Sequence, residues 1–183
     1  VGMATNIPPH NPAEVIDAVI ACMDRPGISI QKLMDYLPAP DFPTGGIITN
    51  SAELSSIYET GEGRIRLRAR TESDNGRTNI VITEIPYTIS GNKTKLVETL
   101  SSLVKDKVFD EIFDVRDESS KEGIRIVIEL RKDADVDNFI NMLYKKTRLE
   151  DTFGVNMLAI SNGKPETMGL KQIIKCNVDF QFE

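Results

Sequence analysis

The chain has 183 residues, 40% of them hydrophobic and 27% charged, with a formal net charge of -6 at pH 7 and a pI near 5.0. That content fills one good core, or one domain with a flanking piece. The acidic balance excludes a uniformly basic nucleic-acid binder, though one basic stripe can still sit on an acidic domain because field follows the placement of charges. No run approaches the ~18 apolar residues of a membrane span, and the opening VGMATNIPPHN lacks both the basic and the apolar region of a secretory leader. A cytoplasmic protein that does not enter membranes is expected. Cys22 and Cys176 have neither CxxC spacing nor histidines around them, so neither a zinc site nor a disulfide framework is expected.

The first helix has a legible start. Asn11 is placed to cap it, Pro12 suits its first position, and Glu14 follows the cap by three residues as in a capping box. Val15, Ile16, Val19, Ile20 and Met23 form its apolar face, and Pro26 with Gly27 end it. A short helix over 30–37 stops at the Pro38, Pro40, Pro43 cluster, where PAPDFPTGG reads as a rigid extended connector. A brief helix over 52–58 is broken by Gly61 and Gly63 and gives way to a period-two run from Arg64 to Arg70. SDNGR is a hairpin signal leading into a second run over 79–84.

Leu96, Val97, Leu100, Leu103 and Val104 then recur at helical spacing within 95–107. A second strand pair, over 113–116 and 124–131, is joined by the turn-like ESSKEG. Val136, Phe139, Ile140, Leu143 and Tyr144 make another amphipathic stripe, followed by a strand over 155–160. A last helix starts near Met168, and its stripe of Ile173, Ile174 and Val178 is unfinished at Glu183, so the chain is not expected to stop at a domain boundary. Hairpins separated by helices, without regular βα alternation, predict an α+β architecture: an antiparallel sheet with flanking helices on one side.

Among candidate functional residues, RIRLRAR is the most informative. On a strand, Arg64, Arg66, Arg68 and Arg70 leave one face while Ile65, Leu67 and Ala69 leave the other. Alternate residues lie about 6.6 Å apart, near the roughly 7 Å step between phosphates along one nucleic-acid strand. The row can track a phosphate backbone, or it can be a solvated face paired with Glu59, Glu62, Glu84 or Glu129.

His10 is the only histidine, so no triad or multi-histidine metal site can form, and a solvated or capping role beside Asn11 is expected. Asp110, Glu111, Asp114, Asp117 and Glu118 fit no metal loop and read as an exposed acidic turn paired with Arg116 and Lys121. TGEG at 60–63 and TGG at 44–46 are glycine turns without a nucleotide-binding pattern. No metal ligand set or complete catalytic site is predicted.

In series, VGMATNIPPHN, PDFPTGGII, YETGEG with RIRLRAR, ITEIPY, VRDESSKEGIRIVIEL, LYKKTRLEDTFGVNM and MGLKQII resemble the bacterial DNA gyrase and topoisomerase IV A subunits across the full length. The resemblance implies a type IIA topoisomerase. In that family an A-subunit homodimer binds and cleaves a duplex through two tyrosines, working with a B-type ATPase/TOPRIM subunit in an A2B2 complex that supplies ATP and Mg2+. It implies that 1–37 are the end of the winged-helix region, 38–165 the α+β tower domain, and 166–183 the start of a helix leading to the coiled coil. It also implies that Arg64 and the arginines after it rest against double-stranded DNA.

Tyr36, Tyr58, Tyr87 and Tyr144 match no catalytic position of the family, so the chain alone is expected to be inactive and to bind no cofactor. Two places depart from the pattern. Glu62 stands where relatives carry a basic residue, and ISGNK is longer than the usual turn, which leaves a DNA role for Lys93 open. TGGII and DFQFE lean toward topoisomerase IV within the family, and an acidic protein-interaction module without DNA contact is the alternative reading.

Overall fold

The computed structural model describes residues 2–74 and 78–183. Two compact units interleave along the chain: one takes 1–43, 49–66 and 152–183, the other 44–48 and 67–151.

The first unit is mainly helical. The side chain of Asn11 accepts the backbone N–H groups of Ala13 and Glu14 at 3.0 and 3.3 Å, and α1 (Pro12–Asp24) starts there. Its buried residues are Ala18 and Ala21, small enough for close helix approach, whereas Ile16, Ile20 and Met23 of the expected apolar face are about half exposed. Ser29 caps α2 (Ile30–Leu33), which stops short of the expected 30–37; a turn through Asp35 and Tyr36 then leads to buried Leu37.

After a 3-10 turn over Ser51–Glu53, α3 (Leu54–Thr60) ends at Gly61 with φ 80°. A Cβ at Gly61 would collide with the Met168 carbonyl, so only glycine fits there. The antiparallel hairpin of β8 (Leu158–Ser161) and β9 (Lys164–Thr167) turns through Asn162 and Gly163, both at positive φ, and α6 (Leu170–Phe182) closes the unit by packing on α1 and α3.

The second unit is a four-stranded antiparallel sheet in the order β3 (Arg70–Asp74), β4 (Asn79–Glu84), β6 (Ile126–Leu130), β5 (Ile112–Asp117). Ile80 and Ile82 pair with Ile128 and Ile126 in register, and all four join one core with residues of α4 (Lys93–Lys105) and α5 (Val136–Lys146). Leu96 and Leu100 come from α4, Phe139 and Leu143 from α5, and the Phe109 and Phe139 rings meet edge-on at 5.4 Å. Val81 and Val127, paired on the opposite face, are buried as well. The α+β class and the antiparallel sheet with flanking helices follow the expectation.

The run 64–70 is not one strand. β2 (Glu62–Arg68) ends one residue before Ala69 and is the middle strand of a separate sheet, ordered β1 (Ile47–Ile48), β2, β7 (Glu150–Asn156). Ala69 spends its N–H on the Leu149 carbonyl at 2.7 Å, and the chain re-enters pairing as β3, with a register shift between Arg70 and Thr71. The hairpin partner of β4 is therefore β3, which carries Arg70 but none of the three arginines before it. The Asn75–Gly76–Arg77 part of the expected hairpin turn lies outside the described residues.

Candidate nucleic-acid interface

Burial along β2 follows its period of two. Arg64 and Arg66 are exposed, Arg68 is half-buried, Ile65 is 0% exposed and Leu67 is 1% exposed. The apolar phase holds the strand to the protein and turns the arginines outward.

Within the first unit, Asn50 fixes the arginine-bearing backbone. Its carboxamide nitrogen donates to the Arg64 carbonyl at 2.8 Å, its oxygen accepts the Arg66 N–H at 2.8 Å, and the Thr49 N–H donates to the Arg66 carbonyl at 3.0 Å. One side chain thus satisfies both sides of the strand edge. Sequence reading missed Asn50; the signal was an amide between two β-branched residues and a short helix. Among the described residues no carboxylate lies within ion-pairing distance of the Arg64 or Arg66 guanidinium.

Arg68 and Arg70 are engaged otherwise. Arg68 reaches one Glu150 oxygen with Nε at 2.6 Å and Nη2 at 2.5 Å, and its guanidinium lies 4.6 Å from the centre of the Tyr144 ring. The Tyr144 hydroxyl donates to the Ala69 carbonyl at 3.0 Å. Arg70 pairs with Glu84 at 3.2 Å, whose other oxygen accepts the Gly46 N–H at 2.5 Å; Gly45 and Gly46, both at positive φ, curl the TGG turn over that carboxylate. Each partly exposed pair contributes about 0–1 kcal/mol, so its main effect is to fix where the guanidinium sits. Pairing with Glu84 was among the readings left open; pairing with Glu150 was not, because 82 residues separate it from Arg68.

The acidic segment pairs mostly with itself and its neighbours. Arg116 contacts Asp114, Glu118 and Glu129 at 3.5, 3.5 and 3.2 Å, and Lys93 pairs with Asp117 at 3.1 Å. Hydrogen bonds from Ser119, with Lys93 adding less, hold the Asp117 carboxyl below the usual carboxylate range. Among the described residues no group of three or more His, Cys, Asp or Glu side chains is placed to hold a metal ion.

His10 is neither solvated nor a cap. It is half-buried, with Nε2 2.9 Å from the hydroxyl of fully buried Tyr58. Burial pushes the imidazole below its ordinary pKa, against the opposing influence of a Pro8 backbone hydrogen bond and the Asp41 carboxylate. Burial first and Glu14 second push the Tyr58 hydroxyl upward, so Tyr58 keeps its proton. Cys22 and Cys176 are free thiols. No helix among the described residues is long and apolar enough to cross a membrane.

The family of DNA gyrase/topoisomerase IV A subunits matches residues 1–183. The chain is 52% identical over 184 residues to the DNA gyrase A subunit of Clostridium acetobutylicum, with 99% of this chain and 22% of that protein covered. It is 49% identical to the DNA gyrase A subunit of Halalkalibacterium halodurans, covering 96% of this chain and 21% of that protein. For the DNA gyrase A subunit of Pseudomonas aeruginosa the identity is 47%, covering 96% and 19%. The chain thus spans about a fifth of the length of the curated relatives it matches.

Proposed function

The chain belongs to the family of DNA gyrase/topoisomerase IV A subunits, and from that premise we propose that it supports and bends the gate segment of duplex DNA in an ATP-dependent type IIA topoisomerase. In this reading 38–165 are the tower domain, 1–37 the end of the winged-helix region, and 166–183 the start of the helix toward the coiled coil. The whole protein works in the cytoplasm as a homodimer, joined in an A2B2 complex to a B-type ATPase/TOPRIM subunit that holds ATP and Mg2+. The tyrosine that cleaves DNA is not among Tyr36, Tyr58, Tyr87 and Tyr144, so this chain contributes position rather than bond chemistry. The name shared by the relatives supports gyrase over topoisomerase IV as the finer assignment.

The observation that carries the DNA reading is the pair Arg64 and Arg66: outward on a strand held by Ile65 and Leu67, their backbone fixed by Asn50, and their guanidinium groups, among the described residues, free of carboxylates. Phosphate contacts of this kind offset the cost of bending, about 1–6 kcal/mol for a site of 20–30 base pairs. Arg68 and Arg70, already seated on Glu150 and Glu84, continue the row along the chain. Their internal pairing is the one feature that favours the alternative, a protein-interaction module, for that half of the row.

The test uses the full-length protein and measures duplex affinity across a salt series. R64A/R66A should weaken binding and flatten log K against log salt by about 0.9 for each phosphate no longer neutralised. R68A/R70A should have the smaller effect on slope. Unchanged affinity and slope in R64A/R66A refute the DNA role of the strand.

A further inference from the structure

The end of α5 carries a second group of cations, directly after the Tyr144 whose ring lies against Arg68. The Asp135 side chain caps its start by accepting the Asn138 N–H at 3.2 Å, and the Thr147 N–H and hydroxyl both donate to the Leu143 carbonyl at its end, at 3.1 and 2.6 Å. Phe139 and Leu143 anchor the helix in the core, and Tyr144 ties its last turn to the strand: the hydroxyl donates to the Ala69 carbonyl, lies 3.3 Å from the Thr71 hydroxyl, and the ring sits against Arg68.

Lys145 and Lys146 follow directly. Both are exposed, and no carboxylate lies within ion-pairing distance of either among the described residues. Arg148, with 65% of its side chain exposed, pairs with Asp151 at 2.5 Å, and Asp151 also accepts the Thr88 hydroxyl at 2.6 Å. That contact orients the guanidinium while using one of its five N–H donors.

We infer that Lys145, Lys146 and Arg148, grouped in sequence at the end of α5 directly after Tyr144, form a second phosphate-contact site for duplex DNA. The inference rests on the DNA-supporting reading above. Cations in a last helical turn complement the helix dipole, but the dipole acts only within that turn and does not account for Arg148, which lies beyond it. The chain carries 28 acidic against 22 basic side chains, yet among the described residues Arg68, Arg70, Lys145, Lys146 and Arg148 meet only Glu84, Glu150 and Asp151 as ion-pair partners. A local cationic excess held by a rigid helix end, with long stems and free donors, fits a repeating anion such as the phosphate backbone.

Duplex binding by the full-length protein is measured across a salt series for K145A/K146A, K145R/K146R and R64A/R66A. K145A/K146A should weaken binding and flatten the slope by about 0.9 for each phosphate no longer neutralised, and K145R/K146R should restore both. If R64A/R66A flattens the slope and K145A/K146A leaves affinity and slope unchanged, this second site is overturned while the DNA role of the strand stands. If neither variant changes either quantity, the DNA reading itself falls. Weaker binding with an unchanged slope, and no rescue by arginine, assigns the two lysines to packing of the helix end and overturns the site.

Discussion

Asn50 separates two ways of weakening the arginine strand: moving its backbone and removing its charge. In N50A the Arg66 N–H loses its acceptor and the Arg64 carbonyl its donor, two hydrogen bonds of 2.8 Å. Each contributes about 0.5–1.5 kcal/mol net, and since water can reach part of this edge the sum is expected at about 1–2 kcal/mol, or 5- to 30-fold in a local opening equilibrium. Hydrogen exchange followed by mass spectrometry on the full-length protein should show faster exchange in peptides covering 62–68. N50D should be worse than N50A, because it keeps the acceptor for Arg66 but sets a carboxylate against the Arg64 carbonyl. Duplex affinity should fall in N50A with an unchanged salt slope, since no charge is added or removed. Unchanged protection over 62–68 in N50A would refute the assignment of Asn50 as the clamp.

Three further outcomes follow from the geometry. The folded-state pKa of His10 is lowered, so the unfolded chain takes up the proton first as pH falls; the stability it contributes is fully present above about pH 6.5 and is lost as pH falls through the folded-state value. Thermal melting at about pH 7.5 and about pH 5 should show a smaller difference in H10Q than in the parent. G61A places a Cβ against the Met168 carbonyl at φ 80° and should cost at least about 2 kcal/mol, read as a lower urea midpoint. I128A empties space at a fully buried position of β6 and should cost about 2–5 kcal/mol by circular dichroism melting, with no change in the salt slope of DNA binding.

Local chemistry made much of this fold legible. Asn11 and Pro12 mark the start of α1, the spacing of Leu96 and Leu100 gives α4, that of Phe139 and Leu143 gives α5, and the alternation through Ile80, Ile82, Ile126 and Ile128 gives the paired centre of the sheet. What the sequence concealed depends on partners distant along the chain. Ile16, Ile20 and Met23 have the spacing of a core face, but α1 buries Ala18 and Ala21, because a small-residue face permits closer helix packing. Ala69 looks like one more apolar residue in an alternating strand, and only the Leu149 carbonyl explains why the strand stops there. The arginine face was readable from period two; which arginines are already occupied was not, since Glu150 and Tyr144 reach Arg68 only after folding.

The strict alternation of β2 has a consequence for how such a chain can diverge. A one-residue slip would carry guanidinium groups into the positions of Ile65 and Leu67, at 0% and 1% exposure, and bring the aliphatic side chains out. Insertions and deletions between 62 and 68 are therefore barred, however mild the residue added, while exchanges on the outward phase cost little folding energy. The turn over 118–123, largely exposed and closed by the Ser120–Gly123 bridge, carries no such phase. Length variation belongs there, and on the strand only the outward side chains can change without cost to the fold.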